Sequence, residues 1–339
     1  MWKDECVGYY QLQLPDDIEV GLYPVERIYT ENTIGIDAIF GQYYRLRNMG
    51  KNVSGRYSGF YYENYRLMVS KDNFMDLNEY KIKLEEKLLK HSHNYIMKNF
   101  PPDAFFISYE NSHSLFYGKA QRLYQVVKAG QTDIIQAGEG NINLTRDVDV
   151  HSFIDRFRAR KFYEIPSEHG FCLPYGFIAD KFGEKERNMV VTYRMNSHPD
   201  VMIIFQDASY QLPAMIPDDS DGVPLRDYDA RDYAKWLWNN VYMLYPEQKR
   251  KLLSPGWFSI TMDGRKGSGS FLEVTRRDGE KDYGYLAFVR ANPQNSTKEP
   301  DLQVFVTSYS ELADDHPQIT RGELKTLAEH IVNSVKHRE

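Results

Sequence analysis

The chain has 339 residues, 42% hydrophobic and 27% charged, which excludes a disordered, collagenous or coiled-coil protein. Its length favours about two domains, and no apolar run approaches the ~18 residues of a membrane helix. Lys and Arg total 42 against 48 Asp and Glu, a net charge of −6, so there is no basic excess to draw nucleic acid.

In chain order, residues 7–14 read as a strand stopped by Pro15, and 25–40, rich in β-branched and aromatic residues, as one long or two short strands. Residues 41–65 show no period and read as irregular or a hairpin. Asp76 is an N-cap, with Leu77, Tyr80, Leu84 and Leu88 at helical spacing and Ile96 extending the stripe toward Pro101-Pro102. Strands follow at 104–110 and 114–128, with a shorter one at 131–137. A second helix fits 147–161, on Val150, Phe153, Ile154 and Phe157. Strands resume at 170–179, 189–195 and 201–207, before an acidic loop carrying Asp218, Asp219, Asp221, Asp227, Tyr228 and Asp229. A third helix spans about 229–245, on Tyr233, Leu237, Val241 and Leu244. Strands then read at 257–262, 269–276, 283–290 and 302–309. The last helix opens on a capping box, Thr320 with Glu323, and carries Leu324, Leu327, Ala328, Ile331 and Val335.

Strands cluster instead of alternating with helices, which predicts an α+β fold of mostly antiparallel sheets with packed helices. The division falls near residue 163, giving domains 1–162 and 163–339.

No catalytic residue, cofactor site or metal site is nominated. Gly267-Ser268-Gly269-Ser270 sits between strand patterns and reads as a hairpin loop, since a phosphate cradle needs a helix after its glycines. The acidic loop fails as a calcium loop: Pro217 and Tyr228 stand where acids are needed. Its alternatives are a contact region and a solvated loop. His91 and His93 point apart on a helix. The 26 tyrosines suit half-buried, water-facing strand positions and interface anchors. Cys6 and Cys172 are either one disulfide or two buried thiols. The amino terminus has no signal-peptide hydrophobic region, so the chain is either cytoplasmic or begins after a removed leader.

Three strings resemble a known family. Glu5-Cys6-Val7-Gly8-Tyr9-Tyr10 with Leu14-Pro15 resembles the opening of immunity proteins against type VI secretion lipase effectors, Tyr9 standing where arginine is usual. Ile165-Pro166-Ser167-Glu168-His169-Gly170-Phe171-Cys172 with Gly176-Phe177-Ile178 is similar to the start of that family's C-terminal domain. The tail, a hairpin, a lone strand and a helix ending Val332-Asn333-Ser334-Val335, fits as well.

The resemblance implies a two-domain α+β protein without a catalytic site. It would bind a cognate phospholipase effector one-to-one, without cofactor or nucleic acid, occlude the effector's active-site entrance or lid, and work in the periplasm. It also implies a Cys6–Cys172 disulfide. The acidic loop residues Asp218, Asp219, Asp221, Asp227 and Tyr228 are the expected partner contacts. The rival readings are a small-molecule or lipid-binding module and a hydrolase whose triad is assembled from distant segments.

Overall fold

The computed structural model describes residues 1–23, 25–28, 58–63, 65–71, 76–91, 95–100, 102–109, 112–128, 150–181, 183–209, 228–240, 243, 248–313 and 315–338. The predicted strand at 7–14 is one arm of a hairpin, β1 (Trp2–Val7) and β2 (Tyr10–Pro15). Gly8 makes the turn at φ +60°, where a Cβ would stand 2.3 Å from Asp207 Oδ2. A left-handed backbone and a buried carboxylate both demand glycine there.

After β3 (Ile18–Val20), residues Val25–Ile28 form one helical turn, α1, and not a strand. Ile28 is buried in the main core. The rest of the predicted 25–40 strand, residues 41–57 and the 131–137 strand lie outside the described residues. Next come a hairpin, β4 (Gly59–Tyr62) with β5 (Tyr65–Val69), and the helix α2 (Leu77–His91). Asp76 Oδ1 accepts from Asn78 N at 2.8 Å, and Tyr80, Leu84 and Leu88 are buried. Ile96 does not extend the helix. It lies in β6 (Tyr95–Phe100) and is exposed.

The strand predicted at 114–128 is also a hairpin, following β7 (Ala104–Tyr109). Its arms are β8 (Ser112–Lys119) and β9 (Arg122–Lys128), turning at Ala120 and Gln121, both left-handed. The second predicted helix is shorter than expected: α3 (Val150–Arg156) gives way to β10 (Phe157–Ala159). Strand pairing overrides helical spacing here. Phe157 pairs with Ile178 of β12 (Gly176–Ala179), which also pairs with β11 (Gly170–Leu173).

The C-terminal half comprises β13 (Arg187–Met195), β14 (Val201–Ala208), α4 (Ala230–Asn240), β15 (Lys249–Met262), β16 (Arg265–Thr275), β17 (Lys281–Val289), β18 (Asp301–Ser308), α5 (Arg321–Ser334) and β19 (Lys336–His337). Val241 and Leu244, predicted for the third helix, lie outside the described residues. The fold is α+β with antiparallel ladders. Thirteen described strands form one sheet in the order β15-β16-β17-β18-β14-β13-β4-β5-β9-β8-β7-β6, with β3 also on β13. Two small sheets, β1-β2-β19 and β10-β12-β11, pack beside it.

Alternation sorts the central strands onto two layers. Met202, Ile204, Leu286, Phe288 and Phe305 join Tyr233, Leu237 and Trp238 of α4 in one cluster. Val201, Ile203, Phe205, Val304 and Val306 belong to the main core with Leu324, Leu327 and Ile331 of α5. Buried on both faces, β14 carries the apolar run Val201–Phe205 and β18 the shorter run Val304–Val306. Residue 163 lies between β10 and its partner β12, and ladders cross it at β13–β4 and at β2–β19.

Gly267 and Gly269 are not a loop. They sit within β16, and the turn is Asp263-Gly264, both at positive φ. A Cβ on Gly269 would meet the Phe258 ring at 2.3 Å. Gly269 leaves room for the Phe258 ring and Gly267 for the Phe288 carbonyl, a reason glycine patterns in sequence do not reveal. The final helix starts where predicted: Thr320 and Glu323 form a complete capping box. Thr320→Ala is expected to cost about 1 kcal/mol in a urea unfolding curve.

Candidate partner-binding surface

Of the predicted contact residues, Asp218, Asp219, Asp221 and Asp227 lie outside the described residues. The described chain marks both roots of that stretch. On one side, β14 ends beside Ser209, whose Oγ accepts from Arg187 N at 2.8 Å. On the other, Tyr228 is partly buried against the α4 cluster, and Asp229 caps α4, accepting from Arg231 N and Asp232 N at 2.8 Å. The acidic run is thereby rooted between a central strand end and a helix start.

Four polar groupings lie under the surface. Arg187 and Asp207 form a fully buried ion pair, Nε to Oδ2 at 2.7 Å, with Arg187 Nη1 also donating to Thr297 O at 2.6 Å. Tyr9 and Tyr62 both donate to Asp180, which Arg156 approaches at 3.2 Å. Burial, reinforced by Asp180, pushes both phenols up, so they stay neutral donors. Glu5 meets Arg160, whose guanidinium also donates to the carbonyls of Cys6 and Leu173. Finally, Cys6 and Cys172 form a disulfide with Cα atoms 5.7 Å apart. These groups are spent on one another inside the fold, which is the arrangement buried polar atoms require.

Many tyrosines do not face water as expected. Tyr9, Tyr10, Tyr23, Tyr62, Tyr80, Tyr124, Tyr193, Tyr233, Tyr285 and Tyr309 are buried. Their rings supply core volume, and several hydroxyls reach internal acceptors, such as Tyr124 Oη to Tyr175 O at 2.7 Å.

One described serine, aspartate and histidine do converge. Ser308 Oγ donates to Asp200 Oδ2 at 2.6 Å, and His198 Nδ1 lies 4.0 Å from Asp200 Oδ1. The order is wrong for nucleophilic catalysis, which needs histidine between serine and carboxylate. Ser308 is also fully buried. Among the described residues no group of three or more His, Cys, Asp or Glu could hold a metal ion. No described helix is long and apolar enough to cross a membrane.

The outer surface offers apolar side chains instead. Ile82 and Leu89 on α2 are 55% and 58% exposed, and Ile96 on β6 is 60% exposed. Leu252 on β15 and Trp2 on β1, stacked on His330, are also open. The sequence did not single out Ile82, Leu89, Leu252 or Trp2, and it put Ile96 on the helical stripe. Ile82 and Leu89 sit off the buried Tyr80-Leu84-Leu88 stripe, and that mismatch is the signal that would have found them.

The C-terminal strand adds a pH-sensitive contact. His337 Nε2 lies 2.5 Å from Glu184 Oε1, and its backbone N donates to Asp263 Oδ1 at 2.8 Å. The hydrogen bond to Glu184 raises the imidazole above its ordinary value near 6.5. A raised folded value means the stabilisation is complete below the unfolded value and fades as pH rises through the folded one. The stability gap between wild type and His337→Gln is therefore expected to be largest at mildly acidic pH and to close toward alkaline pH. Urea midpoints across that range measure it.

Residues 164–214 match the family model of the Tle cognate immunity protein 4 C-terminal domain. No curated protein matches the chain. The fold is shared over nearly the full length with T6SS immunity proteins. One is TplEi from Pseudomonas aeruginosa complexed with "L" peptide (TM-score 0.60, 15% identity, 99% of this chain and 98% of that one). Apo TplEi from the same organism gives TM-score 0.59 at 15% identity, covering 99% and 97%. The Tle4-Tli4 complex gives 0.58 at 15% identity, also covering 99% and 97%.

Proposed function

We propose that this protein is an immunity protein: it binds a cognate type VI secretion phospholipase effector one-to-one and blocks the effector's active-site entrance or lid. The observation that carries this reading is the match of residues 164–214 to an immunity-protein family, within a chain that shares its whole fold with T6SS immunity proteins. The chemistry agrees with it. Charged clusters are consumed in internal ion pairs, while apolar side chains stand on the outer faces, as recognition by shape requires.

On this reading the chain is a binder and not an enzyme, and inhibition follows from denying substrate entry. The units 1–162 and 163–339 act together on the effector, fastened by the disulfide. A target acting on lipids from the periplasm requires the inhibitor there, a compartment that sustains disulfides. The acidic residues Asp218, Asp219, Asp221 and Asp227, with Tyr228, contribute contacts and draw basic groups of the effector.

The test is calorimetric titration of type VI secretion lipase effectors from the same genome. One-to-one binding that weakens at least tenfold when the four aspartates become asparagine supports the whole reading. Binding that ignores those changes removes the acidic contacts from it. Failure to bind overturns the assignment.

A further inference from the structure

The C-terminal tail ends on a buried cation placed against the disulfide. Arg338 Nη1 lies 3.0 Å from Cys6 Sγ and 3.3 Å from Cys172 Sγ, and donates to Gly170 O at 3.2 Å. Its Nη2 donates to Pro166 O at 2.7 Å and Glu168 O at 3.0 Å. Every acceptor it meets is neutral. The charged groups around it are otherwise engaged. Arg160 meets the Cys6 carbonyl and pairs with Glu5, while Arg158 lies over the Phe177 ring and pairs with Glu164 and Glu168. Among the described residues no carboxylate forms an ion pair with Arg338. Both sulfurs are fully buried beside Phe177, Ile165 and Ala179.

The Glu168 carboxylate acts on Arg338 without forming an ion pair, and burial still holds the guanidinium below its ordinary value. Among the described residues, the groups in hydrogen-bond contact with it that can become negative are the two sulfurs. We propose that Arg338 offsets part of the stability of the Cys6–Cys172 disulfide: when the bond is reduced, the guanidinium holds one sulfur as a thiolate, which makes the bond easier to reduce than its closed loop alone would. Cys6 is the sulfur assigned, being the nearer. With glutathione as reductant, one glutathione thiolate attacks a protein sulfur and the Cys6–Cys172 bond breaks. A second glutathione then attacks the mixed disulfide. Two glutathione thiols become one glutathione disulfide, the protein gains two electrons, one cysteine keeps a proton, and the other releases its proton to water. Stabilising the dithiol state in this way makes a disulfide more oxidising. Arg338 is thus a positioning residue for a redox site, a property independent of any partner.

The experiment equilibrates the intact protein in glutathione buffers of graded ratio and counts alkylated cysteines by mass. Ultraviolet thiolate absorbance of the reduced protein is followed against pH. The wild type is expected to show one thiolate titrating at least one pH unit below the ~8.5 of a free thiol. Arg338→Met should move that titration to 8.5 or above. It should also shift the glutathione midpoint roughly tenfold toward reducing conditions. Arg338→Lys, which keeps the charge, should restore most of both. In denaturant all three should coincide. An ordinary thiol titration in the folded wild type overturns the proposal whatever the variants do, as does an unchanged midpoint in a folded Arg338→Met protein.

Discussion

Replacing Cys6 and Cys172 together with serine is expected to lower unfolding stability by about 2–5 kcal/mol. The bond closes a loop of 166 residues, and in the chain-entropy view a loop of that size restrains the unfolded state by about 5 kcal/mol. Native contacts add to the loss. Gly8 and Cys172 exchange backbone hydrogen bonds at 2.9 Å in both directions, joining the turn after β1 to β11. Arg338 reaches both sulfurs and three carbonyls. Without the bond, the amino-terminal hairpin, the 165–173 segment and the tail lose their common fastening. Urea unfolding of oxidised, reduced and double-serine protein measures the effect. Coincident midpoints would show that the hydrogen bonds alone hold this corner.

The second large effect is expected at Arg187. Arg187→Ala should cost about 3–5 kcal/mol, because it leaves the Asp207 carboxylate buried without a counter-charge. The remaining partners of Asp207 are weak: Tyr9 N donates at 3.4 Å. The truncation also strands the carbonyls of Lys185 and Thr297 and removes a cation from the Tyr9 ring, 4.5 Å away. Burial pushes the Asp207 carboxyl up even in the wild type, and loss of Arg187 removes the opposing pull. With the folded value raised above the unfolded one, the variant's electrostatic deficit is present at neutral pH and shrinks as pH falls and Asp207 takes up a proton. Asp207→Asn in the Arg187→Ala background should recover part of the loss at neutral pH. A double variant no better than the single would place the cost in the stranded carbonyls instead.

The sequence made helix starts and central strands legible because their causes are local or periodic. Asp76 and Thr320 cap where their spacing predicts, and β14 opens on the apolar run Val201–Phe205 because both faces are covered. What failed had distant causes. The helical pattern stops at Arg156 because Phe157 begins a strand that pairs with Ile178, well along the chain. The turn at Ala120-Gln121 carries none of the usual turn residues. Gly269 is required by the ring of Phe258 on a neighbouring strand. The surface was least legible. Tyrosine count pointed to interfaces, yet many rings went to the core, while Ile82 and Leu89 carried the outer apolar face of α2.

The most direct measurement is titration of the proposed cognate lipase effector's phospholipid hydrolysis with the purified chain. Activity should fall linearly to near zero at one equivalent and return when the chain is removed by denaturing capture. Full lipase activity in molar excess of the chain, or hydrolysis by the chain itself, would contradict an inhibitor that works by occlusion.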